Sequence, residues 1–110
     1  MEPSPAPAAS RHGTVRLHGV LRCADAEEAR TVTRHLPQHL TLTRAEPGCL
    51  SFRVEPSAEP LVWEVAEEFA DAGAFRAHQQ RVAASAWGRA TTDIAREYTV
   101  EGLPEEGEEG

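Results

Sequence analysis

Histidine is the side chain best suited to proton transfer near neutral pH, and His78 is the best placed of the five histidines in this chain. The spacing of Phe75, His78 and Val82 puts all three on one stripe of a helix predicted to begin after Asp71. An imidazole on that buried stripe can accept or donate a proton. A core histidine that is hydrogen-bonded to the backbone produces the same spacing, so both interpretations stay open.

Four aromatic side chains are candidates for the wall of an apolar pocket that would bind a flat substrate. They are Trp63, Phe69, Trp87 and Tyr98. For each of them an ordinary core position is the simpler interpretation. Tyr98 also has a hydroxyl group, which needs a partner if buried and can hydrogen-bond to a substrate oxygen.

Three polar side chains on predicted strands complete the set of candidates. His18 can border the substrate pocket or a subunit contact, although an ordinary hydrogen-bonded histidine is an alternative. Glu67 and Glu68 are adjacent, so on a strand they point to opposite faces. We expect Glu67 to make a structural hydrogen bond at a dimer interface, with Arg53 as its partner across the sheet.

The sequence offers little for metal or covalent chemistry. His35 and His39 have the i, i+4 spacing of two metal ligands, but Pro37 lies between them and no metalloprotease-type glutamate does. Cys23 and Cys49 form neither a disulfide framework nor a zinc motif. The chain has no lysine, which excludes Schiff-base catalysis and a lysine-bearing phosphate loop. We predict no metal site.

Length and charge bound the remaining possibilities. The chain has 110 residues and a net charge of −7, which argues against nucleic acid and anionic membrane surfaces as partners. It contains no membrane-length apolar run and no signal-peptide pattern, so we expect a cytoplasmic protein with reduced thiols. Composition predicts a disordered leader over residues 1–12, one domain over 13–102 and a disordered acidic tail over 103–110.

The hydrophobic pattern predicts the order strand, helix, strand, strand, helix, strand. The strands are predicted at residues 14–22, 49–55, 61–69 and 94–101, and a further short helix at 85–90. Asp25 and Asp71 are predicted to cap the two main helices, and Pro37 to kink or split the first. This order is typical of a ferredoxin-like α+β fold, with a four-stranded antiparallel sheet and helices on one face.

The second face of that sheet also needs cover, because apolar residues occur on both sides of the third strand. Val62 and Ala66 lie opposite Trp63 and Val65 in the alternating pattern. A sheet that is apolar on both faces is rarely left in water. We therefore expect a homodimer in which the sheets of two copies face each other.

Three segments resemble the antibiotic biosynthesis monooxygenase family: residues 43–52 (TRAEPGCLSF), 63–69 (WEVAEEF) and 74–78 (AFRAH). The resemblance extends over residues 14–101, and His78 and Glu67 fall on positions of the family pattern. It implies a dimeric α+β barrel with a pocket between sheet and helices in each subunit. It also implies oxidation of small aromatic or quinol-like compounds by dioxygen without flavin, metal or haem. Ala83 stands where many members have a second histidine.

The leading hypothesis is therefore a cofactor-independent monooxygenase that acts on a small aromatic phenol or hydroquinone. In this hypothesis His78 transfers a proton and Tyr98 positions oxygen atoms, while His18, Trp63, Phe69 and Trp87 surround the substrate. Two alternatives remain open: a non-catalytic dimeric domain that binds a ligand or regulates, and an isomerase that uses His78 as its base.

Overall fold

The structure is a computed structural model that describes residues 13–104. The predicted leader and residues 105–110 of the predicted tail lie outside the described residues. Seven elements follow one another along the chain. They are β1 (Val15–Arg22), α1 (Ala26–Arg44), β2 (Cys49–Pro56), β3 (Val62–Phe69), α2 (Ala72–Ala83), α3 (Ala86–Ala90) and β4 (Ala95–Glu101).

The four strands form one antiparallel sheet in the order β2-β3-β1-β4. The two central strands, β1 and β3, are therefore not neighbours in sequence, as two interleaved strand–helix–strand units require. Alternation along β1 buries Val15, Leu17 and Leu21, which face the helices together with Phe69 of β3. The predicted ferredoxin-like α+β fold is confirmed.

The predicted caps begin both main helices. The Asp25 carboxylate accepts a hydrogen bond from the Glu28 backbone N–H at 2.9 Å, and the Glu28 carboxylate accepts one from the Ala24 backbone N–H at 2.7 Å. The Asp71 carboxylate caps α2 in the same way, 2.8 Å from the Ala74 backbone nitrogen. Each acidic group satisfies amide donors that the first helical turn leaves unpaired.

Helix α1 runs unbroken through Pro37, so the prediction that this proline splits the helix is wrong. Pro37 is exposed, whereas Val32, Leu36 and His39 on the same helix are buried. Packing of that buried stripe holds both halves of α1 on the sheet, and this outweighs one missing hydrogen bond.

Strand β2 contains a bulge that the alternating pattern does not reveal. Cys49 pairs with Phe69 and Ser51 with Glu68, so Leu50 is an extra residue with no partner on β3. Simple alternation would put Leu50 on the inner face with Phe52 and Val54, but the bulge leaves Leu50 57% exposed while the other two are buried.

The outer face of the sheet, which turns away from the helices, carries both apolar and charged side chains. Val20, Val62 and Ala66 lie on it, as the pairing register requires. Charged pairs surround them, including Arg16 with Glu68 at 3.7 Å and Arg22 with Glu97 at 3.0 Å. The prediction that the third strand carries apolar side chains on both faces is confirmed, and on the outer face charged pairs surround them. In the described part of the chain, no helix is long and apolar enough to span a membrane.

Candidate functional site

A cavity of about 140 Å³ lies between the inner face of the sheet and the three helices. All four strands contribute side chains to it, as do α2, α3 and the C-terminal half of α1. Its wall combines aliphatic and polar groups: Leu17, His39, Phe52, Val54, Val65, Glu67, His78, Gln79, Val82, Trp87, Arg96 and Tyr98. We call it the inner cavity.

His78 enters the inner cavity from α2 and is held there by a hydrogen bond to Glu46. Its Nδ1 atom lies 3.0 Å from Glu46 Oε1, in the turn between α1 and β2. The other oxygen of Glu46 accepts a hydrogen bond from Arg81 Nε, one helical turn beyond His78. The Arg81 guanidinium also donates to Thr43 Oγ1 at 2.9 Å. Glu46, the hydrogen-bond partner of the imidazole, is therefore itself fixed by Arg81.

This arrangement selects the chemical form of His78. A carboxylate paired with arginine is a hydrogen-bond acceptor, so Nδ1–H of His78 donates to Glu46. Burial lowers the pKa of His78 below its ordinary value, although the Glu46 carboxylate opposes this effect. At neutral pH the ring is consequently uncharged, and its Nε2 atom carries a free lone pair. His78 can act as a base through Nε2.

Glu67 lies beside that lone pair. Its Oε1 atom is 3.9 Å from His78 Nε2, beyond direct hydrogen-bond range, and has no hydrogen-bond partner among the described residues. Burial raises the pKa of Glu67 to about 7, and the charge of Glu46 adds to the effect. A ligand hydroxyl group whose oxygen lies about 2.8 Å from both His78 Nε2 and Glu67 Oε1 would hydrogen-bond to both atoms.

Tyr98 and Arg96 contribute a second polar region on β4. The Arg96 guanidinium donates to the Thr91 and Ile94 carbonyl oxygens at 2.8 and 3.0 Å and to Thr91 Oγ1 at 2.8 Å, so it is fixed in place. Burial raises the pKa of Tyr98 to about 12. The Tyr98 phenol therefore keeps its proton and can donate a hydrogen bond to a substrate oxygen.

His39 and Trp87 form a flat part of the wall. Their rings stack with centroids 4.3 Å apart and planes inclined by 3°. Burial lowers the pKa of His39 to about 3, and the neighbouring charges of Arg81 and Arg96, and of His78 when it is protonated, contribute. His39 is therefore neutral at physiological pH. It belongs to the cavity wall rather than to a ligand pair with His35.

The structure brings half of the predicted site residues into the inner cavity: His78, Tyr98, Trp87 and Glu67 line it. Phe69 lies behind them, fully buried, with its ring centroid 4.8 Å from that of His78. The sequence alone does not predict that these side chains meet in a single cavity.

Three predicted site residues lie elsewhere. Trp63 packs against the core without lining the inner cavity. His18 and Arg53 lie on the outer face, where they border a groove of about 340 Å³. The expected pair between Arg53 and Glu67 is wrong, because Arg53 is opposite Ala66 in the register while Glu67 is opposite Phe52, on the other face.

Sequence reasoning missed Glu46, Arg81 and Arg96 and assigned His39 only to a metal pair. His39 carries a detectable signal, since Val32, Leu36, His39 and Thr43 recur at helical spacing and are all buried. Glu46 and Arg81 have no such signal. They are 35 positions apart, and only the packing of α2 against the α1–β2 turn joins them.

Comparison with known proteins agrees with this architecture. Residues 14–90 match the family model described as antibiotic biosynthesis monooxygenase. MupZ from Pseudomonas fluorescens is similar at 18% identity with a TM-score of 0.71, covering 99% of this chain and 77% of that one. Rv0793 from Mycobacterium tuberculosis is similar at 19% identity with a TM-score of 0.65, covering 84% and 97%.

A protein from Deinococcus radiodurans, named a "putative antibiotic biosynthesis monooxygenase", is similar at 25% identity with a TM-score of 0.63, covering 83% of this chain and 93% of that one. No curated protein matches the chain. The family model covers more than half of the sequence, whereas the first two structural likenesses carry information on the fold alone.

Proposed function

Because this chain belongs to the antibiotic biosynthesis monooxygenase family, we propose that it oxidises a small phenol or hydroquinone with dioxygen and without a cofactor. The observation that carries the proposal is the neutral His78 imidazole, whose Nδ1 is anchored by Glu46 and whose Nε2 faces the inner cavity beside Glu67. A base fixed in this way suits removal of a phenolic proton.

The reaction balances with electrons from the substrate alone. His78 Nε2 accepts a hydroxyl proton, which leaves an electron-rich phenolate. The phenolate reduces dioxygen, one oxygen atom forms a bond to a ring carbon, and the O–O bond breaks. A hydroquinone with dioxygen then yields a hydroxyquinone and one water, and a phenol yields a quinone and one water. No external reductant enters the balance.

Two further features of the inner cavity support this chemistry. Tyr98 keeps its proton because of its raised pKa, so it can hydrogen-bond to a second substrate oxygen and orient the ring. The aliphatic wall of Leu17, Val54, Val65 and Val82 limits the water that would protonate the phenolate.

Oxygen uptake in the presence of small phenols and hydroquinones tests the proposal. Wild-type protein is expected to accelerate uptake above the rate of autoxidation, and His78→Ala to lose at least about 100-fold of that acceleration. His18→Ala is the matched control, since His18 lies on the outer face, and it should retain the wild-type rate. A His78→Ala variant with full activity would contradict the assigned role.

The same assay tests the absence of a cofactor. Activity should survive dialysis against a chelator, and the active protein should have no visible absorbance from flavin or haem. Wild-type protein that binds phenols but never consumes oxygen would refute the monooxygenase and leave the non-catalytic binding domain as the better description.

We further propose that two copies associate through the outer faces of their sheets, in the cytoplasm. The groove bordered by His18, Val20, Arg53 and Ala66 offers a concave centre, and the surrounding charges offer partners for complementary pairs. Cys23 and Cys49 are both free thiols, which suits a reducing compartment.

A further inference from the structure

Glu67 is a buried titratable group of the inner cavity that has no part in the proposed reaction as written above. Its side chain is 8% exposed, and its Oε1 atom has no hydrogen-bond partner among residues 13–104. A buried polar atom without a partner destabilises the folded state. Such an atom in a folded protein generally serves a ligand, a water molecule or a reaction.

Glu67 reaches the proposed base from the sheet. It projects from β3, whereas His78 projects from α2, and Glu67 Oε1 lies 3.9 Å from His78 Nε2. This distance is too long for a hydrogen bond between the two atoms, but one oxygen atom can lie within hydrogen-bond distance of both. A substrate oxygen that gives its proton to Nε2 can therefore also contact the Glu67 carboxyl group.

The surroundings of Glu67 keep a proton on its carboxyl group close to neutral pH. Burial and the Glu46 carboxylate in the α1–β2 turn raise the pKa of Glu67 to about 7, against the opposing charge of Arg96 on β4. A protonated carboxyl group beside the base can donate a proton to a bound molecule.

The other titratable groups near Glu67 are weaker acids or carry no proton to give. His78 on α2 is neutral and uses its one N–H to bind Glu46. Burial raises the pKa of Tyr98 on β4 to about 12 and also raises the pKa of the Cys49 thiol at the start of β2. Near pH 7, Glu67 is therefore the strongest acid of this group.

The proposed reaction needs such an acid. When the O–O bond breaks, its electron pair goes to the distal oxygen atom, which takes up two protons to leave as water. One of them is the phenolic proton that His78 has accepted. The second needs another donor, and the ring carbon that bonds oxygen later loses its hydrogen as a proton, which restores that donor.

We propose that Glu67 is the acid of this reaction and donates the second proton to the distal oxygen atom as the O–O bond breaks. The assignment rests on the proposed function and adds a second proton-transferring residue to it. His78 acts on the substrate hydroxyl group, and Glu67 acts on the oxygen atom that leaves.

Glu67→Gln tests the assignment, because glutamine has nearly the same shape but no acidic proton. For oxidation of 1,4-dihydroxybenzene, kcat should fall about 100-fold, while the Kd measured without oxygen should change by less than about twofold. The ring-bound peroxide should then leave as hydrogen peroxide, so the product shifts from hydroxyquinone and water to quinone and hydrogen peroxide. A merely structural role of Glu67 would lower activity without changing this product ratio.

Glu68→Gln is the matched control, since Glu68 is the next residue on β3 and lies on the outer face, where it pairs with Arg16. It should keep the kcat and the products of the wild type. If Glu67→Gln keeps the wild-type kcat, or if Glu68→Gln releases as much hydrogen peroxide as Glu67→Gln, the assignment is overturned.

The pH profile of the wild type provides a test that does not begin from a variant. After subtraction of autoxidation, kcat/KM should fall as the pH rises through about 7, where Glu67 loses its proton. Glu67→Gln should lack this decline, since glutamine does not titrate. A decline of the same size in the variant would belong to another group and would overturn the assignment.

The same assays separate the acid from the monooxygenase. If the wild type converts 1,4-dihydroxybenzene to hydroxyquinone and Glu67→Gln does so at the same rate, the acid is refuted and the monooxygenase stands. If the wild type binds 1,4-dihydroxybenzene but consumes no oxygen above autoxidation, the monooxygenase is refuted, and the acid with it.

Discussion

His39 and His78 have ring centroids 6.2 Å apart, yet their surroundings give them different tasks. Burial lowers the pKa of both imidazoles, but only His78 has a carboxylate that fixes its tautomer and raises its basicity. Among residues 13–104, none hydrogen-bonds to His39 Nδ1, and the His39 ring stacks on the indole of Trp87. One histidine is therefore suited to proton transfer and the other to forming a wall.

Glu46 is expected to act as a positioning residue for His78. In Glu46→Gln the hydrogen bond to Nδ1 can persist, but the charge that raises the pKa of His78 is lost. The pKa of His78 should fall further, and the weaker base should lower kcat about tenfold. An NMR titration of the His78 ring signals measures the pKa shift directly.

Glu55→Gln is the control for that variant, because Glu55 is an exposed carboxylate on the outer face. It should leave both the titration and kcat unchanged. An unaltered His78 titration in Glu46→Gln would show that Glu46 serves folding alone.

Glu67 makes stability depend on pH in the opposite sense from an ordinary paired carboxylate. Its pKa of about 7 exceeds the unfolded value of 4.5, so the folded state retains a proton that the unfolded state releases. This contribution is complete below pH 4.5 and is lost as pH rises to about 7. The loss amounts to about 3 kcal/mol at most.

Urea unfolding of wild type and Glu67→Gln at pH 4.5 and pH 8 isolates this contribution. Because glutamine does not titrate, the wild type should lose stability relative to the variant between the two pH values. Titration of the histidines affects both proteins and cancels in the difference. Parallel stability curves would mean that the pKa of Glu67 is the same in the folded and unfolded states.

Hydrophobic alternation is sufficient to predict the four strands from the sequence, but it does not predict the bulge in β2. Arg96, Tyr98 and Val100 share the helix-facing side of β4, because alternation on a paired strand is geometrically enforced. Leu50 departs from alternation because a bulge inserts one residue into β2. Bulges depend on how two strands fit together, which one strand's sequence does not encode.

The residues of the inner cavity also differ in whether the local sequence pattern reveals them. Helical spacing identified His78 from its own segment, since a buried stripe is a local property. Glu46 and Arg81 are part-buried polar residues whose roles arise only when α2 packs on the α1–β2 turn. Tertiary convergence of this kind leaves no periodic signal in the sequence.

Pro37 offers a test of what sustains α1. The proline is exposed in the middle of the helix and removes one backbone donor, so Pro37→Ala should raise the free energy of unfolding by about 2 kcal/mol. Urea denaturation measures the change, and Gln38→Ala at the exposed neighbouring position should have almost no effect. A destabilised Pro37→Ala would indicate that α1 needs the restricted backbone of proline there.

At the scale of the whole molecule, the inner cavity and the proposed dimer contact lie on opposite faces of one sheet. The residues that line the inner cavity belong to the helices and to the inner face of the sheet. The outer-face groove is lined by different residues except for Val65, whose strand backbone the two faces share. Association and ligand binding should therefore be separable by mutation.

Ala66→Arg tests that separation. Ala66 lies between His18 and Arg53 in the strand register, so a new guanidinium adds like charge at the centre of the proposed contact. Light scattering after gel filtration should give the mass of two chains for wild type and of one chain for Ala66→Arg. Ala58→Arg, the same substitution in an exposed loop, should remain dimeric.

Oxygen uptake per chain by Ala66→Arg should stay within about twofold of wild type, since the proposed catalytic groups lie on the inner face of the sheet and Ala66 on the outer face. A wild type of single-chain mass would refute the dimer and leave the monooxygenase proposal intact. If Ala66→Arg dissociates and loses activity while remaining folded by circular dichroism, the second copy must hold β3 in the geometry that brings Glu67 to His78. Catalysis would then depend on association through the sheet itself.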